Sequence, residues 1–308
     1  MTETLSGQLD QMRRLPLPEL MAEALRVKLA RRGDAFSLCS IINAKSGQCG
    51  EDCRFCVQSA RYHTDAPVYP LVDADKILTA AREAQRIGAR HFSIVTSGRG
   101  LTGADLDRVV EMVAMVRDRV GIRVCASLGI LARHDFERLR AAGLSRYHHN
   151  LETSREFFPR VVTTHSFAHR IETIAAAREA GLEVCAGGIF GLGESEEDRI
   201  SMALSLRECQ VDSVPINVLI PLPGTPLAEA RPLAMAEILR SIALYRLIMP
   251  EKPIRLAAGR ETALGDFLSS ALMAGADGMM IGGYLTQRGR SPEADQRLVA
   301  EMQGIWRG

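Results

Sequence analysis

The sequence predicts an α/β protein, a single (β/α)8 TIM-type barrel, and three observations carry that prediction. Short apolar runs rich in β-branched residues alternate with longer amphipathic segments from near residue 36 onward. Eight such pairs fit within about 250 residues, the number and length that these barrels use. Several amphipathic segments stop at a glycine just ahead of the next apolar run, namely Gly88, Gly121, Gly143, Gly181 and Gly275. A residue without Cβ takes the left-handed turn that ends a helix at no steric cost.

Taken in order, the expected strands are residues 36–42, 91–96, 122–127, 146–150, 183–189, 213–218, 254–258 and 278–281. The helices between them include 73–87, 106–120, 167–180 and 200–210. Residues 1–34 read as an N-terminal cap of two helical pieces split at Pro16 and Pro18, residues 35–283 as the barrel, and residues 284–308 as a C-terminal extension. No Pro/Ser-rich linker or shift in composition divides the chain, so one structural domain is expected.

Composition narrows the function classes. The chain is 46% hydrophobic and 24% charged, which excludes disorder. Lys and Arg number 38 against 37 Asp and Glu, so no basic excess points to nucleic acid or to a membrane surface. No stretch approaches the roughly 18 apolar residues of a membrane span, and the opening MTETLSGQLDQMRR lacks a signal peptide's apolar core. A cytoplasmic protein is expected. Its seven cysteines, an odd number, then argue for metal or catalytic use over a disulfide framework.

Three of them, Cys49, Cys53 and Cys56, lie in the segment that follows the first strand. Spacings of three and two residues bring thiolates to one centre only if the backbone curls, which Gly47, Gly50 and Asp52 permit. Thiolates select iron–sulfur clusters or zinc. A [4Fe–4S] cube on three thiolates leaves one iron open for chemistry, and barrel enzymes place active sites at this end of the strands. The alternative is a zinc knuckle completed by a residue such as His63. The Cys-x3-Cys-x2-Cys pattern resembles the signature of the radical S-adenosylmethionine superfamily.

Flanking motifs are more specific. Asn43–Gly47, Gln58–Tyr62, Tyr147–Ser154, Cys185–Ile189, Val214–Asn217 and Arg255–Glu261 resemble the biotin synthase family, in its order, over about residues 36–290. The resemblance implies conversion of dethiobiotin to biotin by radical sulfur insertion. It implies a [4Fe–4S] cluster on Cys49, Cys53 and Cys56 as the catalytic centre, S-adenosylmethionine, and an auxiliary iron–sulfur cluster. It further implies an external electron donor of flavodoxin or ferredoxin type, and a homodimer. Carried over by position, Phe55 holds the adenine, Gly187 and Gly188 approach the methionine group, and Arg170 pairs with its carboxylate. Asn150 and Glu152 bind ribose, Asn150 and Asn217 bind substrate, and Thr286 reaches the substrate carboxylate. Each has a plainer reading: turn glycines, a solvated Arg170, and Glu152 as an N-cap partner at Thr153 or Ser154.

Cys39, Cys125 and Cys185 fall inside strands one, three and five, with Arg255 on strand seven. Barrel interiors are packed in layers of four side chains drawn from alternate strands, so these four are expected to share a layer around one cofactor. The best-known members of the resembled family hold their auxiliary cluster with cysteines on strands two, three and five and an arginine on strand seven. Here Ser93 stands on strand two and Cys39 on strand one. The expectation is a moved and re-ligated auxiliary cluster, [4Fe–4S]-type in preference to [2Fe–2S], with Arg255 as neighbour or ligand. The alternative is three ordinary buried thiols. Cys209 reads as a packing thiol, and His148 stands where the family often has Asn. Two other functions remain in view: a lipoyl-synthase-like sulfur-inserting enzyme, and a non-enzymatic iron–sulfur carrier.

Overall fold

The computed structural model describes residues 3–283 and 289–308. Two helices, α1 (Glu3–Arg13) and α2 (Leu17–Arg32), precede a ring of parallel strands: β1 (Ser37–Lys45), β2 (His91–Thr96), β3 (Arg123–Ser127), β4 (Arg146–His148), β5 (Glu183–Cys185), β6 (Gly188–Phe190), β7 (Val214–Val218), β8 (Ile254–Leu256) and β9 (Gly278–Met280). Their order is β5-β4-β3-β2-β1-β9-β8-β7-β6. Helices α3 (Ala74–Arg86), α4 (Gly103–Val120), α5 (Arg133–Ala142), α6 (Phe167–Glu179), α7 (Glu196–Glu208) and α8 (Met235–Ile248) connect the earlier strands. Short helices α9 (Arg260–Leu264) and α10 (Leu268–Met273) precede β9, and α11 (Pro292–Arg307) ends the chain.

The predicted fifth strand is the main departure. It is two strands, β5 and β6, joined across Ala186 and Gly187. Its first half pairs with β4, and its second half pairs with β7. At the switch, the Ala186 amide donates to the Ser213 carbonyl, while the Gly187 carbonyl accepts from the Leu151 and Glu152 amides. One strand thus holds both neighbours, so the two ends of the strand order are the same piece of chain.

Other differences are at element ends. The first strand runs on to Lys45 with an irregularity at Asn43–Lys45, and the fourth stops at His148. Helices α4 and α7 start earlier than the apolar period indicates, because their first turns are polar. Ser195 caps α7 by accepting from the Asp198 amide while the Asp198 carboxylate accepts from Ser195, which apolar spacing cannot reveal. The helix-ending glycines Gly88, Gly121, Gly143, Gly181 and Gly275 all have φ between 69° and 108°.

The pairing register fixes which side chains share a level inside the ring. From Cys39 the ladder passes through His91 to Arg123, and from Cys125 through Arg146 to Glu183. It then passes from Cys185 to Ser213, and from Arg255 through Gly278 to Ser37. In a tilted barrel, residues at one height are displaced from hydrogen-bonded partners by about one residue per strand. The circuit Cys39, Cys125, Cys185, Arg255 therefore closes on itself with the shear of eight that such barrels carry.

The same stepping places His91, Arg146, Ser213 and Gly278 in the layer below. Ser93, His148, Pro215 and Met280 fall in the layer above.

At the foot of the barrel, α11 packs against the chain entering β1. Trp306 stacks on Phe36 with centroids 6.1 Å apart, and Lys28 of α2 lies 3.0 Å from the Trp306 ring centroid. Arg246 and Asp277, both fully buried, pair at 3.1 Å, and Arg32 reaches Asp277 at 2.6 Å. No helix among the described residues is long and apolar enough to cross a membrane.

Candidate active site

The cysteine loop is curled by hydrogen bonds from two directions. From within, the Cys49 amide donates to the Gln58 carbonyl, the Ala60 amide to the Cys49 carbonyl, and the Ser59 hydroxyl to the Glu51 carbonyl. From across the barrel mouth, Asp52 accepts from the Thr163 and Thr164 amides at 2.9 and 3.1 Å and from both hydroxyls. Burial pushes the Asp52 carboxyl up, but the bonds from Thr163 and Thr164 outweigh it and hold the group well below the usual range. Glu51, buried beside it, bonds Thr164 and the His165 ring.

The curl has the expected local cause at Gly47 and different ones at Gly50 and Asp52. Gly47 does take the left-handed region, at φ 76°, and a Cβ there would meet Val68 at 2.6 Å. Gly50 has open space around it and an ordinary φ; Gln48, at φ 54°, supplies the second left-handed position. Asp52 acts as a staple to the 163–164 segment instead of as a turn former.

The loop stands at the mouth of a cavity of about 450 Å³, which Cys49, Cys53, Phe55, Cys56, Asn150, Glu152, Arg170 and Asn217 all line. Arg170 is buried on α6, so the solvated-helix reading is overturned. Its guanidinium donates to the Asn150 carbonyl at 2.9 Å and lies 3.4 Å from the Glu152 carboxylate. Burial raises the Glu152 carboxyl, with Arg170 and Asn150 opposing. Glu152 is no N-cap partner: it holds the left-handed region at φ 70°, an uncommon conformation for a residue with a side chain, and pairs with Gly188.

Both asparagines also bond the strand ends. Asn150 accepts from the Gly187 amide, and Asn217 donates to the Gly188 carbonyl and accepts from the Ala258 amide. Gly187 and Gly188 do not line the cavity. A Cβ at Gly187 would lie 1.8 Å from the Pro215 carbonyl oxygen, and one at Gly188 2.4 Å from Met202 Sδ. Their lack of a side chain answers to the closely packed strand junction and α7. Thr286 lies outside the described residues, and His63 is exposed and no part of the cavity wall.

Cys39, Cys125 and Cys185 are 6%, 0% and 1% exposed. They share a layer, as expected, yet do not open to the cavity. Ser93, His148, Pro215 and Met280, the layer above, form its floor over them. Around the thiols are buried polar atoms without hydrogen-bond partners among the described residues: both His91 ring nitrogens, Ser93 Oγ, Arg146 Nη1, His148 Nε2, Ser213 Oγ, and Arg255 Nε and Nη1. Arg255, 3% exposed, forms no ion pair with a carboxylate among the described residues. Burial raises the Cys39 thiol, opposed first by Arg255, and burial pushes Cys56 up to about 11.

Comparison with known proteins decides the family. The model of the radical SAM superfamily matches residues 45–206, and that of the biotin and thiamin synthesis associated domain matches residues 215–304. The biotin synthase of Pelotomaculum thermopropionicum is 50% identical over 296 residues, covering 96% of this chain and 91% of the relative. The chain belongs to the biotin synthase family. That of Geobacter sulfurreducens is 50% identical over 284 residues, covering 92% of this chain and 86% of the relative. Among solved structures, methylornithine synthase superposes with a TM-score of 0.81 at 21% identity, over 98% of this chain and 95% of that one. The hydrogenase maturase HydG gives 0.80 at 16% identity, over 94% and 69%. These two speak for the fold alone.

The residues present fit the cofactors of the family. Among the described residues no three His, Cys, Asp or Glu side chains converge to hold a single ion. A cubane puts each thiolate on its own iron and so asks for a wider spacing. The unpaired cation and orphaned donors around three thiols match an anionic group that accepts hydrogen bonds. Sequence reasoning missed Glu51, His165, His91 and Arg146. Of these, His91 and Arg146 were open to discovery, because period-two alternation puts them on the same inner face as Ser93 and His148.

Proposed function

We infer that the protein converts dethiobiotin to biotin by radical sulfur insertion with S-adenosylmethionine. The observation that carries this reading is the closed layer of Cys39, Cys125, Cys185 and Arg255 one level beneath a cavity whose mouth holds Cys49, Cys53 and Cys56. When bound, a [4Fe–4S] cluster on the loop thiols supplies the electron that opens S-adenosylmethionine, and an auxiliary cluster on the layer thiols supplies sulfur.

The chain's own groups bind and orient. Arg170, already aimed into the cavity, takes the methionine carboxylate with its planar fork. Phe55 offers a face to adenine, Glu152 and Asn150 hold ribose, and Asn150 and Asn217 contact the ureido ring with the amide hydrogens and lone pairs that the strand ends leave over. Ile41, Val95, Ile189 and Met280 make the wall apolar, excluding water and stray hydrogen donors. Arg255 stands beside the auxiliary site, and a [4Fe–4S]-type centre suits its three thiols better than [2Fe–2S]. All seven cysteines are free thiols, which suits the cytoplasm. An external donor of flavodoxin or ferredoxin type and a homodimer complete the reading by family likeness.

Anaerobic reconstitution tests it. The parent chain is expected to bind two clusters and to form biotin with dethiobiotin, S-adenosylmethionine and a reductant. Cys39→Ala is expected to lose the auxiliary iron and sulfide alone. Equal iron and sulfide in Cys39→Ala and parent would overturn the relocated ligand. Methionine and 5′-deoxyadenosine without biotin would point to another sulfur-inserting radical enzyme.

A further inference from the structure

Below the thiol layer stands a second buried guanidinium. Arg146, on β4, is 5% exposed and pairs across the ladder with Cys125 on one side and Glu183 on the other. Its Nε and Nη2 both donate to one Glu183 oxygen, at 3.0 and 2.6 Å. The other Glu183 oxygen accepts from Arg123 at 2.6 Å. This two-point clamp fixes the guanidinium plane and leaves Nη1 buried with no partner among the described residues. The electrostatic neighbours of Arg146 are Cys185 and Cys125 ahead of Glu183. Arg255 faces Cys39 from the opposite side of the ring. The layer of thiols is therefore flanked by two cations on different strands, one of them steered by a carboxylate that reaches the surface with 37% of its side chain exposed.

We propose that Arg146 is a positioning residue for the auxiliary cluster, a clamped cation beneath Cys125 and Cys185 that raises the reduction potential of that centre, with Glu183 as the group that aims and partly offsets it. The inference rests on the auxiliary-cluster reading above and adds to it the source of the centre's electrostatic tuning. The physical argument is linkage between charge and reduction. A reduced cluster carries one more negative charge than an oxidised one, so a nearby fixed cation favours reduction, and hydrogen bonds to cluster sulfurs act in the same sense. Among side chains buried this deeply, one charge at this range matters more than at a surface. Arg146 has the needed features: burial, a donor left over, and a plane held by two bonds so that the leftover donor keeps its direction.

The test is a redox titration followed by electron paramagnetic resonance on reconstituted parent, Arg146→Gln, Arg146→Lys and Glu183→Gln, with iron and sulfide counted for each. Arg146→Gln is expected to move the auxiliary signal to a more negative potential, and Arg146→Lys to recover part of that loss. Glu183→Gln, a change on the outer side of the clamp, is expected to move it in the positive direction. The loop cluster at the cavity mouth serves as internal reference and is expected to stay within error in all four. Two clusters in the parent with an auxiliary potential unmoved by Arg146→Gln and Glu183→Gln would overturn this inference alone. A single cluster in the parent would overturn the auxiliary reading, and this inference with it.

Discussion

The two sets of three cysteines are held by opposite means. At the cavity mouth, Cys53 and Cys56 are partly exposed, and their loop is shaped by side-chain bonds such as Asp52 to Thr163 and Thr164. In the barrel, Cys39, Cys125 and Cys185 are buried and placed by strand register, with no loop involved. A loop can be tuned by single polar contacts, and it leaves room for a ligand on the open side. A layer moves only if a strand slips, and a one-residue slip would turn each thiol to the outer face. The open, adjustable site suits a cofactor that must be approached; the rigid, enclosed one suits a group that must be kept from solvent.

The largest effects come from removing thiols, and they separate the two regions. Cys53→Ala is expected to abolish both S-adenosylmethionine cleavage and biotin formation. Cys39→Ala is expected to abolish biotin formation while 5′-deoxyadenosine still appears. Product analysis by chromatography distinguishes them, and equal loss of both products in Cys39→Ala would break the division of roles.

Next in size is the strand junction. Gly187→Ala puts a Cβ into the Pro215 carbonyl and is expected to cost about 1–3 kcal/mol or more by overpacking. Gly50→Ala, with open space around it, is expected to be silent. Thermal melts of the two variants check this, and a Gly187→Ala as stable as the parent would contradict the packing argument at the junction.

A smaller change, Asp52→Ala, removes the staple and is expected to cost roughly 1–3 kcal/mol while lowering iron retention at the mouth alone. If the auxiliary iron fell equally, the two sites would not be independent.

The smallest effect concerns the foot of the barrel, remote from both sites. Lys28 is buried against Trp306 and donates to the Gly33 carbonyl at 2.6 Å. Burial pushes its amine down to about 8. The unfolded chain, whose lysines titrate near ~10.4, keeps that proton longer, so stability is expected to rise with pH between the two values. Lys28→Met is expected to flatten that slope in melts across alkaline pH, and identical slopes would contradict it.

Much of this was legible in the sequence. Strand positions, helix-ending glycines and the shared layer follow from alternation and from turn chemistry, which are local. What was not legible depends on contacts across the ring. The Asp52 and Glu51 contacts with residues 163–165 join segments more than 100 positions apart, and no spacing rule connects them. The split of the fifth strand depends on which neighbour each half meets. The packing demand on Gly187 and Gly188 was hidden for the same reason, since the groups that leave no room for their side chains are Pro215 and Met202.

The central claim is that two iron sites stand one above the other in this barrel, the lower one on Cys39 instead of Ser93. An anomalous-difference map at the iron edge, from crystals of the anaerobically reconstituted chain, tests it most directly. The account predicts two peaks, one at Cys49, Cys53 and Cys56 and one ringed by Cys39, Cys125 and Cys185 with Arg255 alongside. A single peak at the mouth, or a second peak bonded at Ser93 with Cys39 left free, would contradict it.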